Sequence, residues 1–63
     1  MNKIDSIRKR KCMSYEDIAK AAGLTSAYIC LLAKDKRKNP SVDAMKKIAT
    51  ALGEKTDKVF DIN

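Results

Sequence analysis

Three observations predict an all-α chain of five short helices. Gly23, Gly53 and Pro40 are the only Gly and Pro residues, so the chain has few breaks. Between those breaks the apolar residues recur at helical spacing, and no segment sustains the alternation of a strand. Polar residues suited to helix starts, Ser14, Thr25 and Ser41, stand just before the apolar runs. Sixty-three residues make one domain, 1–63, with a small core, since a chain this short buries only about 60% of its unfolded surface.

The elements follow in order. Asn2 is the expected cap of a first helix, with Asp5 three residues on and Ile4 and Ile7 on one face; this helix is expected to end near Lys11 or Cys12. Ser14 followed by Asp17 has the form of a capping box and predicts a second helix carrying Ile18, Ala19 and Ala22, which stops at Gly23. Thr25 caps a third helix in which Ile29 and Leu32 point inward, with Leu24 just before it. The segment KDKRKNPS reads as a basic loop, and Pro40 with Ser41 opens a fourth helix whose Met45, Ile48, Ala49 and Leu52 sit at i, i+3, i+4 and i+7. Gly53 ends that helix as a left-handed cap. Thr56 starts a last short turn bearing Val59 and Phe60.

Composition narrows the function classes. The net charge is +6. Residues 1–38 hold ten Lys and Arg against four Asp and Glu, and residues 39–63 hold four of each. The whole excess therefore lies in the first part of the chain, a local positive field suited to a polyanion. There is no histidine, and the two cysteines, Cys12 and Cys30, form no CxxC pair. That argues against a metal site, a cofactor, an enzyme with an activated thiol, and a disulfide-dense secreted scaffold. Both thiols are read as reduced, partly buried packing residues of a cytoplasmic protein. The longest apolar run, Ala27 to Ala33, is too short to span a bilayer, and the N-terminal segment has no apolar leader core.

Why the chain breaks at Gly23 has a geometric answer. In a helix-turn-helix two short helices cross steeply through a tight turn, which needs a small side chain at the crossing and a residue tolerant of positive φ in the turn. Ala19 and Gly23 meet those needs, and Ile18, Leu24, Ile29 and Leu32 supply the shared core. An ordinary helical hairpin is the competing reading of these residues alone.

On the segments IRKRK, S-x-x-D-I-A-x-A-A-G-L-T, Y-I-x-x-L, KRKNPS, and KKIATALG with DKVF, residues 7–60 resemble the Cro and phage-repressor (XRE-like) family of helix-turn-helix DNA-binding domains. The resemblance implies a compact five-helix, lambda-repressor-like domain with the motif at helices two and three. It further implies a transcriptional regulator, expected to be a repressor, that places its third helix in the major groove of double-stranded DNA as a homodimer on a palindromic site. No small-molecule substrate is implied.

By the same resemblance, the start of the second helix contacts the DNA backbone, which puts Ser14 and Tyr15 there. Tyr15 stands where the family usually has glutamine, and its alternative role is to pack on Lys11. Lys36, Arg37, Lys38 and Asn39 match the family's backbone-contacting loop, joined by Lys34; the alternative for these is a solvated loop. Arg8 matches a first-helix arginine whose usual glutamate partner is here Ala33, leaving it to face a phosphate or pair with Asp35. The base-reading positions are Ser26, Ala27, Tyr28 and Leu31, with Cys30 beside them. None offers a bidentate donor, so thymine methyl contacts and DNA shape are the expected means of readout. Val59, Phe60 and Ile62 are candidate dimer contacts, with sealing of the monomer core as the other role for Val59 and Phe60. The apolar face of Ala27, Cys30 and Leu31 also suits a rival function, a protein-binding module such as an antirepressor on the same fold.

Overall fold

Three short hydroxyl side chains start three of the helices. The side-chain oxygens of Ser14, Thr25 and Ser41 accept from the backbone N–H of Asp17, Tyr28 and Ala44 at 3.0, 3.2 and 3.1 Å, each satisfying a donor that the helix itself leaves unpaired. At Ser14 the box is complete, because the Ser14 N–H also donates to Asp17 Oδ2 at 2.9 Å. The computed structural model describes residues 2–37 and 39–60. Within them α1 runs Ile4–Arg10, α2 Tyr15–Ala22, α3 Ser26–Ala33, α4 Val42–Leu52 and α5 Thr56–Val59.

All four longer helices end in the same way. A left-handed residue follows each one, and the next N–H reaches back five residues to a carbonyl: Met13 to Arg8, Leu24 to Ala19, Lys36 to Leu31 and Glu54 to Ala49, at 2.9 Å in each case. This is the Schellman arrangement, which usually places glycine at the left-handed position. Gly23 and Gly53 comply at φ 70° and 71°, whereas Cys12 and Asp35 hold φ 56° and 57° with side chains attached.

The first helix differs from expectation. Asn2 does not occupy the cap position; Lys3 does, without a side-chain cap bond. The Asn2 side chain works from one residue further out. Its Oδ1 accepts from the Ile4 N–H at 3.0 Å, while its Nδ2 donates to the Leu32 carbonyl at 2.6 Å and to Asp35 Oδ1 at 3.4 Å. Asn2 also forms an isolated antiparallel bridge with Phe60. One residue thus joins the start of α1, the end of α3 and the end of α5. Cys12 also departs from expectation, being exposed because the left-handed turn after α1 swings it away from the core.

Every helix contributes to one core. Ile4, Ile18, Ile29, Leu32, Ile48, Leu52 and Val59 are the largest fully buried side chains, and α2 packs on both α3 and α4 while α5 closes on α4. Ala19, Ala22 and Ala49 are buried as well, small enough to let the helix axes approach. Ala44 joins the core where the sequence pointed to Met45, which is only half-buried against it. The fold is all-α, with the helix-turn-helix at α2 and α3.

Candidate nucleic-acid interface

The third helix carries no charged residue from Ser26 to Ala33. Its inner face is set by Ile29 and Leu32, both buried. Ala27, Cys30, Leu31 and Lys34 fall at i, i+3, i+4 and i+7, a second stripe on the other side. Along that stripe Ala27 and Lys34 are exposed, Cys30 is half-buried, and Leu31 is 41% exposed, one of two large apolar side chains facing solvent among the described residues. Tyr28 lies off the stripe, half-buried against the core, and its ring stacks with the Arg37 guanidinium 5.0 Å from the centroid.

A shallow recess separates α3 from the start of α2, lined by Ser14, Tyr15 and Glu16 on one side and Ser26, Ala27 and Cys30 on the other. The structure therefore brings together two sets of residues that sequence reading placed in separate roles. Glu16 was not among the expected site residues. The signal for it was its position in the first turn of α2, next to Tyr15.

Tyr15 and Arg8 are committed within the chain. The Tyr15 hydroxyl donates to Asp5 Oδ1 at 2.7 Å, and Arg8 places Nε and Nη2 each 3.1 Å from the same oxygen. Arg8 also donates to the Met13 carbonyl at 3.2 Å and lies 4.5 Å from the centre of the Tyr15 ring. Within the chain Arg8 thus pairs with Asp5, one turn back, and not with Asp35; Tyr15 packs under Arg8 in place of Lys11. The Tyr15 hydroxyl, followed by Arg8, holds the Asp5 carboxyl below the ordinary range against an opposing effect of partial burial, and the Asp5 carboxylate in turn raises the Tyr15 phenol. Asp17 is held low by the backbone N–H and hydroxyl of Ser14.

Two more cations of the N-terminal cluster are also engaged. Lys11 Nζ donates to the Leu52 carbonyl at 2.6 Å and lies 3.3 Å from Glu54 Oε2, which Arg10 approaches at 3.3 Å. Lys11 thereby caps the C-terminal end of α4, where a positive charge meets unpaired carbonyls.

The loop after α3 presents its charge differently. The N–H groups of Lys36 and Arg37 both donate to the Leu31 carbonyl, at 2.9 and 3.2 Å, and Asp35 and Asn39 adopt φ 57° and 56°. This backbone curls tightly and leaves Lys34, Lys36, Arg37 and Asn39 exposed. Lys38 lies outside the described residues, as does Ile62. Val59 and Phe60 are 1% and 6% exposed in the chain's own core, so they offer no apolar surface to a second copy.

Fold and surface together define a helix-turn-helix domain. The family model described as Helix-turn-helix matches residues 4–59, and the chain belongs to this XRE-like family of DNA-binding domains. Comparisons with curated proteins and with solved structures return no significant match. Among the described residues no helix is long and apolar enough to cross a membrane.

Proposed function

We propose that the protein is a sequence-specific transcriptional regulator, acting as a repressor in the cytoplasm, that lays α3 in the major groove of double-stranded DNA. The observation that carries this reading is the recess shared by the α2 start and α3. It sets the start of α2, where the family resemblance puts backbone contacts, beside a strip of short side chains able to approach base edges. Lys34, Lys36 and Arg37, all exposed, flank the far end of α3, with Lys38 beside them in sequence, and supply the cations that displace counterions from the duplex. Asn39 and Ser14 add neutral donors.

Base reading falls to Ser26, Ala27 and Leu31. A serine hydroxyl bonds either kind of edge group, and alanine and leucine press on thymine methyls. Tyr28 contributes by holding Arg37. Arg8 and Tyr15 act indirectly, fixing the start of α2 through Asp5.

The active unit is proposed to be a two-fold homodimer. The domain measures 28 × 20 × 18 Å, less than the roughly 34 Å between successive turns of the major groove, so one copy meets one half-site. Because Val59 and Phe60 are buried, the remaining apolar candidate for that contact is Ile62. Sedimentation of the wild type and of Ile62→Asp, with and without a palindromic duplex, tests the assembly; a monomer in every state rules it out.

Selection of bound sites from a random duplex library tests the function itself. The expected result is a defined, T-containing half-site whose composition changes in Leu31→Ala. A wild type that retains no duplex at low salt rejects the reading, and an apolar α3 stripe then points to a protein partner.

A further inference from the structure

The turn after α3 lacks the residue that its geometry favours. At the ends of α2 and α4 the left-handed position is held by Gly23 and Gly53, whereas after α3 it is held by Asp35 at φ 57°, a conformation that a Cβ disfavours. Support comes from the far end of the chain. The Asn2 side-chain Nδ2 donates to the Leu32 carbonyl at 2.6 Å and to Asp35 Oδ1 at 3.4 Å, across 30 and 33 residues. It thus grips one of the carbonyls that the helix end leaves short of partners and the left-handed residue itself.

Asn2 is itself held from two sides. Its Oδ1 accepts from the Ile4 N–H at 3.0 Å, and its backbone pairs with Phe60 while the next N–H, of Lys3, donates to the Val59 carbonyl at 2.8 Å. The amide therefore reaches the turn from a fixed base. The two residues that follow Asp35 are Lys36 and Arg37, both exposed, whose N–H groups fold back onto the Leu31 carbonyl at 2.9 and 3.2 Å. Where these cations stand depends on the turn that Asn2 holds.

On the reading that this loop meets the phosphate backbone, we infer that Asn2 is a positioning residue for DNA binding, acting through the turn at Asp35 to present Lys36 and Arg37 already ordered. A loop ordered before binding spares the complex that entropic cost, and apparent affinity scales with the fraction of molecules in the competent arrangement. Removing the Asn2 donor lowers that fraction and removes no charge. The slope of log K against log salt counts neutralised phosphates, so it stays in place while affinity falls. Loss of a contacting cation lowers both.

Duplex binding by wild type, Asn2→Ala and Asn2→Ser, measured over a range of salt under conditions where all three are folded, tests this. Serine keeps an oxygen for the Ile4 N–H and is too short to reach Leu32, so it separates the contact with α1 from the hold on the turn. Both variants are expected to bind about three- to tenfold more weakly at the wild-type salt slope. Their Asp35 and Lys36 amides should exchange with solvent faster than in the wild type, and those of α2 should not. Wild-type affinity in either variant, or a slope reduced by about one as a lost phosphate contact gives, overturns this inference and leaves the docking reading standing. A wild type that binds no duplex at low salt overturns both.

Discussion

The side-chain amide of Asn2 donates to the carbonyl of Leu32 across 2.6 Å, linking the second residue of the chain to the end of the third helix. That carbonyl also accepts from the Asp35 N–H at 3.1 Å, so the bond steadies the turn from which the basic loop departs. Asn2→Ala removes this donor and the oxygen that accepts from Ile4. The variant should lose about 1–2 kcal/mol of stability, read as a lower denaturant midpoint with an unchanged slope. No loss beyond a few tenths assigns the contact no energetic weight.

Cys12 sits at φ 56° where the helix end favours glycine, and left-handed backbone costs an L-residue roughly 1–2 kcal/mol. Glycine gives back part of that through its freer unfolded chain. Cys12→Gly should raise stability by about 0.5–1 kcal/mol net. Cys12→Ser, which keeps a Cβ, should not. Equal midpoints for the glycine and serine variants exclude backbone strain as the cause.

Two kinds of cation should separate in experiment. Lys11 caps α4, so Lys11→Met should lower stability by about 1 kcal/mol and leave the salt dependence of DNA binding unchanged. Arg37 stacks on Tyr28 at an exposed site, so Arg37→Ala should do the reverse, weakening all duplexes alike and reducing the slope of log K against log salt by about one. Tyr28→Ala should share part of the Arg37 effect on affinity. Equal salt slopes for wild type and Arg37→Ala would take that side chain off the DNA.

Asp5 and Asp17 both carry carboxyls held below their ordinary range, Asp5 chiefly by the Tyr15 hydroxyl and Asp17 chiefly by the Ser14 backbone. A folded-state pKa below the unfolded one means that the stabilisation is complete above the unfolded value, about 3.9, and is lost as the pH falls through the folded value. Stability should therefore decline on acidification below about pH 4. Tyr15→Phe removes the donor to Asp5, so the Asp5 titration followed by NMR should move up toward the ordinary range, with Asp17 unmoved. An Asp5 titration that stays in place assigns the effect to Arg8.

Sequence made most helix boundaries legible through local signals, with Asn2 the exception, one residue outside the cap it was expected to fill. Ser14 with Asp17, Thr25, Ser41, Gly23 and Gly53 all act within a few residues of themselves, and each stands in the structure where it was read. The buried set Ile18, Ala19, Ile29 and Leu32 followed from helical spacing in the same way. Other departures involve partners remote in sequence or in a neighbouring helix. Arg8 was left between phosphate and Asp35, yet Tyr15 and Asp5 claim it from α2 and its own helix. The cluster from Arg8 to Lys11 read as a general positive field, yet Lys11 and Arg10 serve Glu54 and the end of α4.

Sequence alone determined that this chain is five helices around one small core with a helix-turn-helix at its centre, because caps, turns and apolar periodicity are local and need no knowledge of what lies across the core. Tertiary structure decided which charges remain for a partner. A lysine or arginine reads the same in sequence whether its ammonium or guanidinium is solvated or bonded to a carbonyl 41 residues away, as Lys11 is to Leu52. Only the packing of α1 against the ends of α2 and α4 consumes those charges. That packing leaves Lys34, Lys36 and Arg37, at the end of α3 and in the loop after it, exposed.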